Sequence, residues 1–577
     1  MQARTALADA RTELAGGKVP AALDAFATAE ARLNSARAEG GFPVSLLNPV
    51  PLVGSPGRAV RDTVKAGRHV VAAGRALARA EDAFPIHSHS GLNGSNLAPL
   101  HQSTLDARVP LEEAGRELAQ AKRELKGPAG AALPLVSAPA TSVLPLLDQT
   151  EGQLRGAKRG LNLFADLTAP ETDARILILN QDTLEARPAG GFIGTFGVLH
   201  FLHGTVALEH YGAAGELQYP SPPMPVPTDL VDWLNGHPWE LSNIGWFPDF
   251  PSTALLAREM YKRQGGGEVA GVVGITQELL APLIAHTGPV DLPGYGTVGA
   301  DKLEDRIIQE VELKTPQDVP KHKFLDLLSQ TLFDRLLHLE PAKLGDVAAV
   351  AGHAAASGDI QAWFADPARE EDVAGTTWSG ALPHTDGDFL MVADANMWAS
   401  KANKDLVRNV TYSVSRDDKG RLVGHVHAVY RNNGPKTRLN PTYLAYVRVY
   451  APFGARLIGG AAPNADKYVV GGPPRDLGAA PDGPYRVFST LQQADPQSEA
   501  TFDIRYTLPE SVLAGGQYSL TWVRQPGSGN DRIGATVLGR SMPVTATDRT
   551  ADLDIDLNPH GLRGFLHRRW IFRQLGA

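Results

Sequence analysis

Asp182, Glu185 and Arg187 crowd one short stretch, ILILNQDTLEARPAGGFIGTFGVLHFL (residues 176–202), with Gly190-Gly191 just behind them. Two carboxylates on either side of a glycosidic bond can act as nucleophile and acid/base. A gap of about 5 Å between them gives retention, and a wider gap admits water and gives inversion. An arginine beside them can hold an anionic group, and a Gly-Gly turn can aim backbone N–H groups at one. The plain alternative is a β-hairpin whose Arg187 pairs with a neighbouring carboxylate and whose glycines only make the turn.

Other residues could complete such chemistry. Asp249 stands in NIGWFPDFPSTA, where Trp246 and Phe247 could form a platform for a sugar ring or a lid on the core. Asp249 itself reads as a partner carboxylate or as the cap of a helix starting near Ser252. Asn243 could donate to a hydroxyl or a phosphate. Glu278 and Asp394 are further acids. In DANMWASKAN, Asp394 and Asn396 could line the same pocket or close a connection, with Lys401 and Arg408 supplying positive charge. His87, His89 and His101 lack the i, i+4 placement of a helical metal site and read as solvated loop histidines.

The elements that must position these groups follow from pattern. Residues 1–168 read as helices over an Ala-rich background, broken at Gly40-Gly41 and at NPVPLVGSP (residues 48–56). Helices fit residues 59–84, 111–125 and 142–167, with a polar loop over 85–109. An antiparallel helical bundle or a long hairpin results. Residues 169–405 alternate strands (176–180, 192–202, 206–211, 271–275, 389–393) with helices, which predicts a layered α/β or α+β domain. A Pro-rich run over 218–230 reads as a rim or lid loop. Residues 406–548 carry strand after strand between turn residues, which predicts an antiparallel β-sandwich. Residues 549–577 form a basic, aromatic tail. The fold class expected is multidomain α+β.

The whole chain has 577 residues, too many for one ordinary core. It is 43% hydrophobic and 20% charged, the composition of a globular protein. A net charge of −8 argues against a nucleic-acid partner. With no cysteine, the chain has no disulfide, thiolate ligand or cysteine nucleophile. Neither an apolar run long enough to span a bilayer nor a signal-peptide pattern opens it.

Four segments in order resemble a bacterial envelope family known only as domain of unknown function 4012. They are residues 176–199, LSNIGWFPDFPSTALLAREMY (241–261), EVAGVVGITQELLAPLIAHTGPVDLPGYG (268–296) and GALPHTDGDFLMVADANMWASKAN (380–403). The resemblance implies an extracytoplasmic, envelope-located protein, anchored in its full-length form by an N-terminal membrane helix absent from this sequence.

More distantly, the middle domain resembles the LytR-CpsA-Psr fold, whose enzymes move glycopolymers from polyprenyl pyrophosphate carriers. The hairpin carries Asp182 and Arg187, residues 271–292 resemble that family's strand–helix unit, and KHKFLDLLSQTLFDRLL (321–337) resembles the helix after its site. That likeness implies substrate binding by Lys321 and Lys323, and Mg if the chemistry is phosphotransfer. The departures are equally plain. Pro188 and Ala189 follow Arg187 where the family places an acidic metal ligand, and lysines with His322 replace an arginine pair. No metal ligand is therefore assigned. The expected catalytic residues are Asp182, Glu185, Arg187 and Asp249. Substrate binding is expected from Gly190, Gly191, Asn243, Trp246, Phe247, Lys321, Lys323, Asp394 and Asn396. The partner is an envelope polysaccharide or a lipid-linked glycan. The activity implied is glycan-chain transfer, with glycoside hydrolysis (for example of an arabinogalactan-like polymer) and non-catalytic glycan binding or scaffolding as alternatives.

Overall fold

The computed structural model describes residues 5–6, 9–10, 12–13, 18–46, 51–83, 96–129, 134–234, 236–314, 323–398, 400–461, 475–480, 483–528, 531–542 and 548–556. Four long helices come first: α1 (Val19–Leu46), α2 (Pro51–Asp82), α3 (Ala98–Ala129) and α4 (Pro134–Leu167). Ala66, Ala73, Ala76 and Ala80 of α2 meet Ala107, Leu111, Ala114 and Leu118 of α3 in one buried cluster, joined by Leu147 and Leu154 of α4. Small side chains at helical spacing let the backbones approach, and the leucines fill what remains.

Three helices start earlier than their sequence pattern predicts, α4 at Pro134 among them. Helix α2 begins at Pro51, since proline is tolerated in a first turn, where its missing N–H would be unpaired anyway. Helix α3 takes in residues 98–109, read above as loop, because the Asn96 side chain accepts from the Ala98 N–H at 3.1 Å and opens the helix there.

A five-stranded sheet follows, in the order β3-β2-β1-β4-β7. Its strands are β1 (Asp173–Asp182), β2 (Phe192–Leu202), β3 (Thr205–Ala213), β4 (Gly271–Thr276) and β7 (Ile360–Phe364), while β5 (Val290–Leu292) and β6 (Gly296–Val298) form a separate two-stranded ribbon. Strand β1 lies antiparallel to β2 and parallel to β4. Both faces are covered. Leu177, Leu179, Ile193 and Phe196 pack on Phe250, Ala254 and Met260 of α5 (Phe250–Arg263). Ala174 and Ile176 pack with Leu167 of α4 and Phe364 of β7. Two-sided burial explains why β1 reads as a continuous apolar run and not as an alternation. Helices α6 (Leu280–Thr287), α7 (Lys323–Leu337) and α8 (Pro341–Ser357) complete this part.

Strands β8 (Asp388–Asn396), β9 (Leu406–Arg416), β10 (Leu422–Asn432), β11 (Tyr443–Pro452), β12 (Arg456–Ala461), β13 (Arg475–Ala479), β14 (Tyr485–Ala494), β15 (Ser498–Thr507), β16 (Gln517–Val523), β17 (Arg532–Val537), β18 (Arg540–Met542) and β19 (Thr550–Asp556) build two six-stranded sheets, β12-β15-β10-β9-β17-β18 and β13-β14-β11-β8-β16-β19. One buried apolar cluster draws on both, from Leu390 and Tyr443 on one sheet to Tyr412, Tyr430 and Phe502 on the other. The strand expected at residues 389–393 therefore belongs to these sheets and not to the sheet of β1, pairing with β11 and β16. Its apolar run and its place in the chain do not say which sheet it joins. The pairing is mostly antiparallel, but β8/β16 and β9/β17 run parallel. The start of the expected tail, from Thr550, is the edge strand β19, and residues beyond 556 lie outside the described ones. Among the described residues, no helix is long and apolar enough to cross a membrane.

Candidate functional site

The β1–β2 connection is wedged between the five-stranded sheet and the strands that follow. Asn396 N–H donates to Ala186 O, Gln525 Nε2 donates to Arg187 O at 2.9 Å, and Arg549 Nη2 donates to Pro248 O at 2.8 Å. Near its start the register slips between Asn180 and Gln181, a bulge that re-aims the strand end.

Asp182 and Glu185 stand at a cavity of about 480 Å³. They converge on one ammonium. Lys401 Nζ lies 2.6 Å from Asp182 Oδ2, 3.3 Å from Glu185 Oε2 and 3.7 Å from Glu312 Oε1, with only 11% of its side chain exposed. The two shorter distances keep the Asp182 and Glu185 oxygens within about 6 Å of one another, near the spacing of paired glycosidic carboxylates. Burial opposes the charge on Lys401, but Asp182, Glu185 and Glu312 outweigh it and hold the lysine well above its ordinary range. The other Asp182 oxygen accepts from the Leu184 N–H at 3.0 Å, which fixes the carboxylate in an Asx turn.

Around this cluster the cavity has two kinds of wall. Phe192, Ile275, Leu280, Ile307, Val311 and Leu328 are apolar, while Asn180, Thr195, Tyr211 and Ser329 are polar. Thr195 Oγ1 and Tyr211 Oη are 2.8 Å apart, and Asn180 Nδ2 donates to Thr195 Oγ1 at 3.1 Å. Burial raises the Tyr211 phenol, with hydrogen bonds to Ser329 and Thr195 opposing. Glu312 comes from a π-helical turn (Ile308–Leu313), a distortion common at functional sites. Glu278 follows β4 beside the end of β1 and accepts from Thr183 Oγ1 at 3.0 Å. Its carboxyl is raised by desolvation, although the residue is exposed. The Thr183 hydrogen bond opposes this, and Asp359, Glu304 and Asp182 add to it.

The other expected site residues have different work. Arg187 is buried, and both terminal nitrogens are spent inside the protein. Nη1 donates to the carbonyls of Ala186 and Asn396, and Nη2 to Glu185 Oε1 and Asn243 Oδ1, each at 2.7–3.1 Å. It ties the turn to β8, as the plain hairpin reading has it, and has no terminal N–H left for a phosphate. The Asn243 oxygen is held by that arginine. Gly190 N–H donates to Arg187 O at 2.8 Å, so it is not an anion nest. At Gly191 a Cβ would fall 2.3 Å from the Asp182 carbonyl oxygen, so the glycine serves close backbone approach.

Trp246 is 1% exposed and stacks on Tyr446 under the Arg448 guanidinium, which leaves no free face for a sugar. Phe247 packs on the same core. Asp249 caps α5 through Ser252 N–H at 3.1 Å, and its other oxygen accepts from Leu382 N–H at 2.9 Å. Asp394 is fully buried between Arg408, Tyr430 and Tyr443. Asn396 bonds Ser400 O and Asn403 Oδ1 and shapes the β8–β9 connection. Lys323 is exposed and does not line the cavity, and Lys321 lies outside the described residues.

Sequence reasoning thus missed the centre of the cluster. Lys401 was noted only as a positive charge, and Glu312, Tyr211 and Thr195 carried no motif. The polar positions Thr195 and Tyr211 in otherwise strand-like runs were the available signal.

The residues do not fit a divalent cation. Among the described residues no group of three or more His, Asp or Glu could hold a metal ion. The three carboxylates that approach one another already meet at the Lys401 ammonium.

Residues 171–311 match the family described as protein of unknown function (DUF4012). The match carries β1, its hairpin turn and most of the cavity's apolar wall. It stops short of Glu312 and of the 380–403 segment that also suggested the family. No curated protein and no solved structure matches the chain.

Proposed function

We propose that this protein acts on glycosidic bonds of a cell-envelope glycopolymer, as a transglycosylase. The observation that carries the reading is Asp182, fixed by a buried lysine at the wall of a cavity large enough for a glycan segment, with Glu278 following the adjacent strand. Asp182 is the nucleophile or base, because it faces the cavity and is fixed in place by Lys401 and the Leu184 N–H. Glu185 has both oxygens on cations, Arg187 and Lys401, and balances charge. Glu278 is the proton donor, since its surroundings favour the protonated form at the end of the neighbouring parallel strand. An acceptor sugar completes transfer, and water in its place gives hydrolysis.

Transfer from a polyprenyl pyrophosphate is less well supported. Among the described residues, the cationic ones lining the cavity are Lys401 and Arg438, and both are engaged, Arg438 by the Glu312 carbonyl. A pyrophosphate needs several free cationic donors at close range. The apolar wall favours a second form of the reading, in which the donor glycan is carried on a lipid whose chain lies against Ile307, Val311 and Leu328. In both forms we infer a LytR-CpsA-Psr-like scaffold for the middle part, a β-sandwich for the C-terminal sheets, and an extracytoplasmic, membrane-anchored full-length protein.

The test is product analysis by mass spectrometry after incubation with purified envelope polysaccharides, with chelator and with magnesium. Oligosaccharides of new length that persist with chelator are expected. Products formed only from a lipid pyrophosphate and only with magnesium would overturn glycosidic chemistry.

A further inference from the structure

We propose that Lys401 is the positioning residue of this site, holding Asp182 and Glu185 on one ammonium from outside the stretch that matches the family; this rests on the glycosidic reading. Lys401 is 219 residues from Asp182 in sequence and arrives on the β8–β9 connection. Its backbone is fixed on rigid elements. Its N–H donates to Leu439 O at 2.7 Å, Asn396 Nδ2 holds Ser400 O at 2.9 Å, and Ser400 Oγ donates to Thr442 O. A flexible side chain held in this way is preorganised for a site.

Joining the two parts of the molecule does not account for it. That junction is already made by Arg187 on Asn396 O, Gln525 on Arg187 O, Arg448 on Trp246 O and Arg549 on Pro248 O. One carboxylate would satisfy a tie, yet three meet at Lys401. Among the described residues, few other charged groups face them. Arg187 holds the far oxygen of Glu185, Arg438 lies on the Glu312 carbonyl, and Glu278 feels Asp182 from the end of β4. Without the ammonium, Asp182, Glu185 and Glu312 repel one another and the trio takes up a proton at higher pH. Asp182 then loses its place, while Glu278 keeps its hydrogen bond from Thr183.

The experiment compares full-length Lys401→Met and Lys401→Arg with the unaltered protein by two readouts. The first is the pH profile of turnover. The second is the pH dependence of carbodiimide labelling at Asp182, Glu185 and Glu312, read by peptide mass spectrometry, which needs no turnover. For Lys401→Met, turnover is expected to fall on the order of 100-fold. The acidic limb and the labelling curve should move up by about one pH unit or more, further than the basic limb moves. Lys401→Arg should restore the labelling curve. An unchanged labelling curve in a folded Lys401→Met protein overturns the proposal. If Lys401→Met does not fold, Lys401→Gln, which keeps donors without charge, is judged by the same labelling. Absence of turnover in the unaltered protein would defeat the glycosidic reading alone, since labelling still decides the role of Lys401.

Discussion

Arg187→Ala separates an arginine that ties the hairpin from one that grips a phosphate. In the structure its terminal nitrogens serve Glu185, Asn243 and the carbonyls of Ala186 and Asn396. Removing one partner of a buried ion pair costs about 3–5 kcal/mol. Glu185 keeps Lys401 at 3.3 Å, which moves the ionic part toward the low end. The three other acceptors lose a donor, at about 1 kcal/mol each where no water replaces it. The expected loss is therefore on the order of 4 kcal/mol, a fall in melting temperature on the order of 10 °C. Urea unfolding followed by tryptophan fluorescence reads it, because Trp239 and Trp246 sit beside the turn in the same core. A folded Arg187→Ala protein that loses less than about 1 kcal/mol but no longer binds pyrophosphate would refute the reasoning.

Other expectations concern single groups. Burial raises the Asp388 carboxyl to about 6, against hydrogen bonds from Tyr518 and Tyr412. Its folded pKa lies above the unfolded one, so its stabilisation is full in acid and is lost as pH rises through about 6. Asp388→Asn should flatten the dependence of the melting temperature on pH between about pH 4 and 6; an unaltered slope would contradict this. Asp249→Ala should cost about 1–2 kcal/mol by loss of the α5 cap, measured by thermal melting, with folded protein still active; abolished chemistry at full stability would return Asp249 to the site. Glu278→Gln should leave folding intact, cut turnover and remove the basic limb of the pH profile, and a retained limb would assign the proton donor elsewhere.

Much of the frame could be read from pattern. The apolar run of β1, the Gly-Gly turn and the run of β2 specify a hairpin, and the strands after residue 406 announce themselves by turn residues. The sheet to which a strand belongs could not be read in this way. Residues 388–396 are buried on both faces, so periodicity does not say which neighbour they pair with. The site was half legible for the same reason. Asp182 and Glu185 are close in sequence and stand out on a turn. Lys401 and Glu312 reach them only through tertiary packing. Trp246 and Arg187 looked functional because aromatic and cationic residues near turns often are, but burial with every polar group satisfied marks them as framework.

The most direct measurement is turnover of one envelope polysaccharide by the unaltered protein and by Asp182→Asn, with chelator present and products counted by mass spectrometry. The account expects new oligosaccharides from the unaltered protein and a loss on the order of 1,000-fold or more in the variant, with its melting temperature nearly unchanged. Equal product from both proteins would contradict it, and so would no product from either on any envelope glycan.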